Sequence, residues 1–455
     1  MATATYQVSI GWEAVPADSF MLDGSVLDGT DQLTNQYSDS LDVLTFGIST
    51  FAAPPAAVPP AVAGTDVFSS TFDAVYSDVS DVVRSVSIKR GRDDNLSTFG
   101  AGEATVVLHD PDGDYNPLNT SSPLSPNVVP GRPIRVEGTF GGTAYGVYKR
   151  FVRSIEYDPA KDAQTTTVHA QDLMLYLSRA KPPVVTNTGT ITTGAAIGTV
   201  LTAIDWTEAQ YRTLDTGDTI NAGFSSNAAN TGLALIEGFL ETERGEFFIS
   251  RGGTAIYRDR YDRYARTSAG TLTNVATGAV AATDLTNIRN RASVTKTGSG
   301  TATATDYISV SRYGLADGVA IDSTYINDAA QGTALAQWIV SQTANPTPPV
   351  RELRYTANVS NAMMVHALSR DLGDRITVVD TALASSADFY IEGIEHRVTN
   401  GGKLHDVAYT MTRTPAASPI TFGTSRVYSV GRFGSPTGTV SPWDTANTTD
   451  DIFAF

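Results

Sequence analysis

Histidines, acids and thiols carry most protein chemistry, and this chain arranges none of them in a reactive pattern. His109, His169, His366, His396 and His405 show no H-x-H or H-E-x-x-H spacing, the patterns that bring two imidazoles to one metal. His109 and His169 fall within alternating segments, where a half-buried or solvated imidazole is the simple expectation. The absence of cysteine removes disulfides, thiol nucleophiles and thiolate metal sites together. Asp110-Pro-Asp-Gly-Asp114 is similar to the start of a calcium loop, but Ser121 stands where the bidentate acid is needed, so a hairpin turn is expected. Glu241 and Glu246 are the pair to weigh for glycoside hydrolysis, against the simpler reading of a solvated helix end. The runs Gly141-Gly142, Gly252-Gly253 and Gly401-Gly402 fall between strands rather than opening helices, so no phosphate cradle is indicated, and no G-x-S-x-G elbow occurs. No catalytic, metal-binding or cofactor-binding residue is assigned, and no cofactor is expected.

The elements that would position any site are mainly strands. From Ser85 to Val136 apolar residues alternate at Val86 and Ile88, at Ala104, Val106 and Leu108, and at Ile134 and Val136. Turn-forming clusters separate them: Arg90-Gly91-Arg92, Gly100-Ala101-Gly102, Asp112-Gly113-Asp114, Asn116-Pro117 and Pro130-Gly131. Tyr6 to Trp12 reads as a first strand, and Ser19 to Val43 as a hairpin-rich insertion. Phe51 to Gly64, with two proline pairs, reads either as a linker or as a stiff loop within one domain. Further on the period changes. Ile197, Val200, Leu201 and Ile204 lie on one helix face, and Leu233, Ile236, Phe239 and Leu240 nearly repeat the pattern. Glu246 to Arg260 reads as a hairpin turning at Arg251-Gly252-Gly253. Tyr307 to Val310 reads as a strand, Leu335 to Val340 as a helix stopped by Pro346, and Arg351 to Val359 as a strand.

An internal echo bears on architecture. Gly131-Arg-Pro-Ile-Arg-Val136 is followed by Phe151-Val-Arg-Ser-Ile-Glu-Tyr157 and an alternating strand at Thr165. Gly373-Asp-Arg-Ile-Thr-Val378 is followed by Tyr390-Ile-Glu-Gly-Ile-Glu-His396 and another at Val407. Either the chain holds two related β-barrels, or two unrelated strand groups share a common β vocabulary.

Composition limits the possibilities. With 455 residues, of which 41% are hydrophobic, a folded chain of several domains is expected. A formal net charge of −16 argues against gripping nucleic acid by its phosphates. The start, MATATYQVSIGWEA, lacks the basic and apolar regions of a signal peptide, and no stretch reaches the apolar length of a membrane span, so a soluble chain is expected.

The ordered series from Ser85 to Val136, SVSIKRGR through PGRPIRV, resembles the minor tail proteins of long-tailed, non-contractile bacteriophages, in the branch that forms the tail-tip (baseplate) hub. Asp110 departs from the pattern, in which asparagine is usual. The resemblance runs from about Val75 to Arg413. It implies a mainly β fold with an α+β insertion and two tube-like β-barrel domains. On that reading residues 1–74 hold the first strand, insertion and proline-rich segment, 75–180 the first barrel, 181–290 the insertion, 291–413 the second barrel with a helix, and 414–455 an extended tail.

The resemblance implies a structural virion protein rather than an enzyme, made in the host cytoplasm and placed at the tail tip. A homotrimer would set six barrels on a sixfold tube. Expected partners are distal tail, tape-measure and receptor-binding proteins, with DNA passing through the lumen only transiently. A baseplate carbohydrate- or receptor-binding protein, suggested by 19 tyrosines and 4 tryptophans, and a tail-borne cell-wall hydrolase are the competing classes. The lumen should be acidic or neutral, while Arg90, Arg92 and Arg132 fork onto carboxylates of neighbouring chains. In the tail, Trp443, Ile452, Phe453 and Phe455 are either chance aromatics and aliphatics on a loose terminus or anchors onto an adjacent subunit.

Overall fold

Strands whose every second residue is apolar must bury one face, and thirteen of them do so here in one sheet. The computed structural model describes residues 2–13, 43–46, 49–52, 75–93, 97–160, 164–187, 189–204, 206, 211–217, 220–221, 224–225, 229–273, 278–281, 288–296, 300–344, 350–381, 385–414, 419–422 and 425–428. The main sheet comprises β1 (Thr5–Glu13), β2 (Val75–Asp78), β3 (Val83–Gly91), β4 (Gly100–His109), β5 (Pro133–Phe140), β6 (Thr143–Asp158), β7 (Thr165–Gln171), β8 (Thr271–Thr273), β9 (Gly278–Ala281), β10 (Val350–Thr356), β11 (Arg375–Asp380), β12 (Ser385–Thr399) and β13 (Leu404–Arg413). Its order is β9-β10-β13-β12-β3-β4-β7-β6-β5-β1-β2, with β11 paired to β12 and β8 to β11.

That order contains the same unit twice. In the first, β3-β4-β7-β6-β5 are neighbours; in the second, β9-β10-β13-β12-β11 are. The registers agree over matching stretches of the ladders. Ile134 of β5 faces Arg150, and Ile376 of β11 faces Phe389. The ladder from β6 to β7 slips between Val152 and Ser154, and that from β12 to β13 slips between Ile391 and Gly393. Aligning the two bulges superposes Ile155-Glu156-Tyr157 on Ile394-Glu395-His396, the echo seen in the sequence. The units join where β12 pairs with β3, from Gly393 opposite Gly91 to Thr399 opposite Ser85.

One face of this sheet packs on a single core that draws Val86, Val106, Val168, Leu353, Ile391 and Tyr409 from both units. Each such side chain contributes roughly 1.5–3 kcal/mol by burial. The sheet is mainly antiparallel, and among the described residues no strand closes it into a barrel, so the two expected barrels are not shown. The two units form consecutive parts of one sheet instead.

Two smaller cores are inserted. Helices α1 (Leu173–Arg179), α2 (Thr193–Ala203) and α3 (Gly232–Glu243) pack with strands Glu246–Ile249 and Ala255–Arg258 around Ile197, Trp206, Phe239 and Tyr257. Thr231 caps α3 by accepting from Ala234 N, and Arg244 ends it in the left-handed region at φ 55°. The expected helices and the hairpin are present. A short α4 (Asp262–Ala265) follows.

The third core joins strands Arg291–Lys296, Thr301–Thr305 and Asp317–Ser323 with α6 (Ala329–Thr343), after α5 (Tyr307–Tyr313). The strand expected at Tyr307–Val310 is this α5. The Asp306 carboxylate accepts from Ile308 N and Ser309 N and starts a helix, while Tyr307 and Ile308 stay exposed. Strand β10 ends at Thr356, and Ala357–Val359 is a 3-10 turn leading to α7 (Asn361–Ser369). Residues 110–132 are a long connection rather than a hairpin turn, because β4 and β5 are not neighbours.

Candidate functional site

The densest charged constellation lies where the two units and the first insertion meet, and Gly91 makes it possible. At φ 120°, Gly91 lies against β12 so closely that a Cβ would come 2.3 Å from the Glu392 carbonyl oxygen. This approach delivers Arg92 to two carboxylates, with Nε donating to Glu392 Oε2 at 2.7 Å and Nη2 to Glu246 Oε1 at 2.9 Å. Arg263, within α4, donates to Glu392 Oε1 and lies 3.2 Å from Glu246 Oε1. Arg266 Nη2 reaches Glu246 Oε2 at 3.3 Å and also binds Asp262. Phe99 lies 4.3 Å beneath the Arg92 guanidinium and Tyr390 4.3 Å beneath that of Arg263.

Both glutamates are buried. Burial alone pushes the Glu246 carboxyl up, but the Arg263, Arg266 and Arg92 guanidiniums outweigh it and hold the group down at about 2. A carboxylate so held has no proton to give near neutral pH, which removes Glu246 from a glycosidase acid role. Glu241 is exposed on α3 and borders a cleft of about 420 Å³ with Arg92, Phe99, Glu237 and Arg244. The constellation therefore acts as a clamp among β3, β12 and the insertion.

The sequence-assigned arginines turn inward. Arg90 is buried, with Nη2 2.9 Å from Asp371 Oδ1 and Nη1 donating to the Ile249 carbonyl. Arg92 is consumed by the clamp. Arg132 donates to the Asn127 carbonyl at 3.0 Å and to Asn127 Oδ1 at 2.5 Å, bracing its own loop. Their carboxylate and carbonyl partners lie in the same chain, because the strand-end glycine and the insertion bring those groups closer than any solvent-facing position could. Trp443, Ile452, Phe453 and Phe455 lie outside the described residues, as do residues 14–42 and 53–74.

Among the described residues no group of three or more histidines or acids is placed to hold a metal. His109 is exposed and bonds Arg84 at 2.7 Å; His169 lies 3.7 Å from Glu156. The other three are buried. His396 Nδ1 lies 3.0 Å from His405 Nε2, and His405 Nδ1 lies 2.6 Å from the Tyr6 hydroxyl. Burial pushes the His405 imidazole down to about 4 and that of His366, packed with Tyr355 and Tyr409, to about 3. Asp110 is buried, accepting from Thr166 Oγ1 at 2.6 Å and Tyr115 N at 3.2 Å, and so ties the long connection to β7. Asp172, the α1 cap, accepts from Met174 N and Gly102 N, and burial pushes its carboxyl up to about 7.

Sequence reasoning did not single out Glu392, Arg263 or Asp172. Their partners lie up to hundreds of residues away, and no spacing rule reports such distances. The nearest signal was the glycine between Arg90 and Arg92, read in the sequence as part of a turn and placed by the structure at the end of β3 against Glu392.

The sheet face turned away from the core is polar. Acids such as Glu103, Glu156, Asp158, Glu395 and Asp406 lie on it together with cations such as Arg84, Lys89, Arg135, Lys149 and Arg397.

No protein-family model matches the sequence, and no curated protein matches it. Solved structures do share its fold. The tail protein from Neisseria meningitidis MC58 is similar with a TM-score of 0.51 at 12% identity, over 74% of this chain and 94% of that one. The 43 kDa tail protein of prophage MuSo2 from Shewanella oneidensis is similar with a TM-score of 0.50 at 12% identity, over 74% and 95%.

Proposed function

We propose that this chain is a structural protein of a phage tail, the hub that closes or extends the tail tube at its tip. The observation that carries the reading is the repeated five-strand unit within one sheet, on a fold shared with phage and prophage tail proteins. A chain with two equivalent units can form a threefold ring that presents six of them, and such a ring matches a sixfold tube without a symmetry clash. The motif series from Ser85 to Val136 supports the hub of a long-tailed, non-contractile phage.

In the ring the covered face points outward, since the first inserted core, which packs on that side through Phe248 and Ile256, would otherwise fill the lumen. The polar face then lines the channel, where its acids, in a chain of net charge −16, repel phosphate and let DNA pass without being gripped. Distal tail, tape-measure and receptor-binding proteins are the partners that such a position implies, and the virion tail tip is the location. No catalytic step is needed from any residue.

Particle imaging of the purified full-length chain, together with its mass in solution, tests the reading. A ring of three 48.2 kDa chains around an open channel is expected. A monomer at all concentrations, or a hexamer, would sink it.

A further inference from the structure

The junction between the two units is a pattern for a second junction that one chain leaves unmade. Inside the chain, the second half of β12 carries β13 on one edge and β3 on the other. Its counterpart, Ser154 to Asp158 of β6, carries β7 on one edge and no strand on the other among the described residues. The counterpart of β3 is β9, which among the described residues pairs with β10 alone. One junction is filled within the chain; among the described residues its twin consists of two open edges, on β6 and on β9.

We infer that the β6 edge at Ser154–Asp158 receives β9 of a second copy of this chain, antiparallel, in the register already used between β12 and β3. This deepens the ring reading of the proposed function and rests on it. The register follows from the twins. Arg397 faces Ser87 in the filled junction. Asp158 occupies the position of Arg397, counted from the matching bulges, and Val280 that of Ser87, counted along β9 from Gly278 opposite Arg354, the slip between Ala279 and Ala281 placing its extra residue on β10. Asp158 therefore faces Val280 of the second copy, and Tyr157 faces Ala281. Pro159 follows at once and lacks the N–H that Val398 has at that place, which ends the ladder there.

Two further observations favour a protein strand as the occupant. Soluble proteins usually blunt or cover an open strand edge, because its free N–H and C=O groups recruit another chain. Arg153 also stands at the bulge position occupied by Glu392 in the filled junction. Glu392 is buried and bonded across the boundary, whereas Arg153 is exposed in the single chain.

The chain has no cysteine, which gives a clean background for crosslinking. Directly opposed strand residues lie close enough for a disulfide. Ser87→Cys with Arg397→Cys serves as the control and should close within the chain under mild oxidation. Asp158→Cys with Val280→Cys should instead give covalent dimers and a closed trimer on a denaturing gel, with neither single variant forming the trimer. If the control closes and native trimers form but the Asp158/Val280 pair stays uncrosslinked, the edge assignment fails while the ring survives. If the protein remains a monomer at every concentration and no crosslink forms, both fall.

Discussion

A guanidinium is kept out of water only where carboxylates replace the lost hydration, and Arg92 has two of them. Removing one member of such a network leaves charge buried without compensation, at a cost of about 3–5 kcal/mol. Arg92→Ala should therefore lower the urea midpoint strongly, while an exposed-pair variant, Arg354→Ala, should change it little; equal effects would mean the clamp is not holding the units. The buried imidazoles set a pH dependence of definite sign. His405 is held at about 4 against an ordinary 6.5, so the folded chain resists a proton that the unfolded chain accepts. Its stabilising effect is complete above pH 6.5 and is lost as pH falls from there toward 4, by up to about 3 kcal/mol. Melting temperature should fall from pH 7 to pH 5, and His405→Gln should flatten that fall; an unchanged slope would remove the histidine from the account. Nothing in the sequence marked these histidines as partners. His396 and His405 meet diagonally across the β12–β13 hairpin, a relation that register creates and spacing does not show.

Strands were the most legible elements, because a two-residue period survives in the sequence wherever one face is buried and the other is wet. The β3, β4, β5 and β13 patterns are of that kind, and the echo at Gly131 and Gly373 carried into matching registers and bulges. Short elements were less legible. The four apolar or aromatic positions around Tyr307 fit either period, and a single cap, Asp306, decided for helix. The glycines at strand ends carry a sharper test. Gly91 and Gly131 both have positive φ, at 120° and 92°, but a Cβ at Gly131 would meet nothing within 4 Å. Gly91→Ala adds an overlap with the backbone of Glu392 and Gly393, atoms that cannot swing aside. Gly131→Ala should cost about 1 kcal/mol and Gly91→Ala at least twice that, read as denaturant midpoints. Similar losses at the two sites would show that the β3–β12 junction is looser than its register implies.

At the scale of the whole molecule, the single core beneath both units explains why two separate barrels are not seen in one chain. Val86 and Leu353 bury into the same cluster, and α7 of the second unit covers β5 of the first, where Gly138 leaves room for Leu368. Sequence alone could count the units but could not tell a closed sheet from a continued one, since closure depends on which edge meets which. The open face then gives the last test. If three chains close into a ring, residues such as Glu103 and Glu395 face a channel, and their charge acts on DNA over roughly a Debye length, about 8 Å at physiological salt. Both are exposed and lie outside the clamp and the core, so Glu103→Lys with Glu395→Lys should fold and assemble normally. A cationic channel would hold phosphate by counterion release, with an affinity that falls steeply as salt rises. Particles carrying the double variant should therefore release DNA more slowly than the parent at low salt and at nearly the parent rate at high salt. Unchanged release at both salts, from particles with normal tails, would mean that this face does not line the exit path.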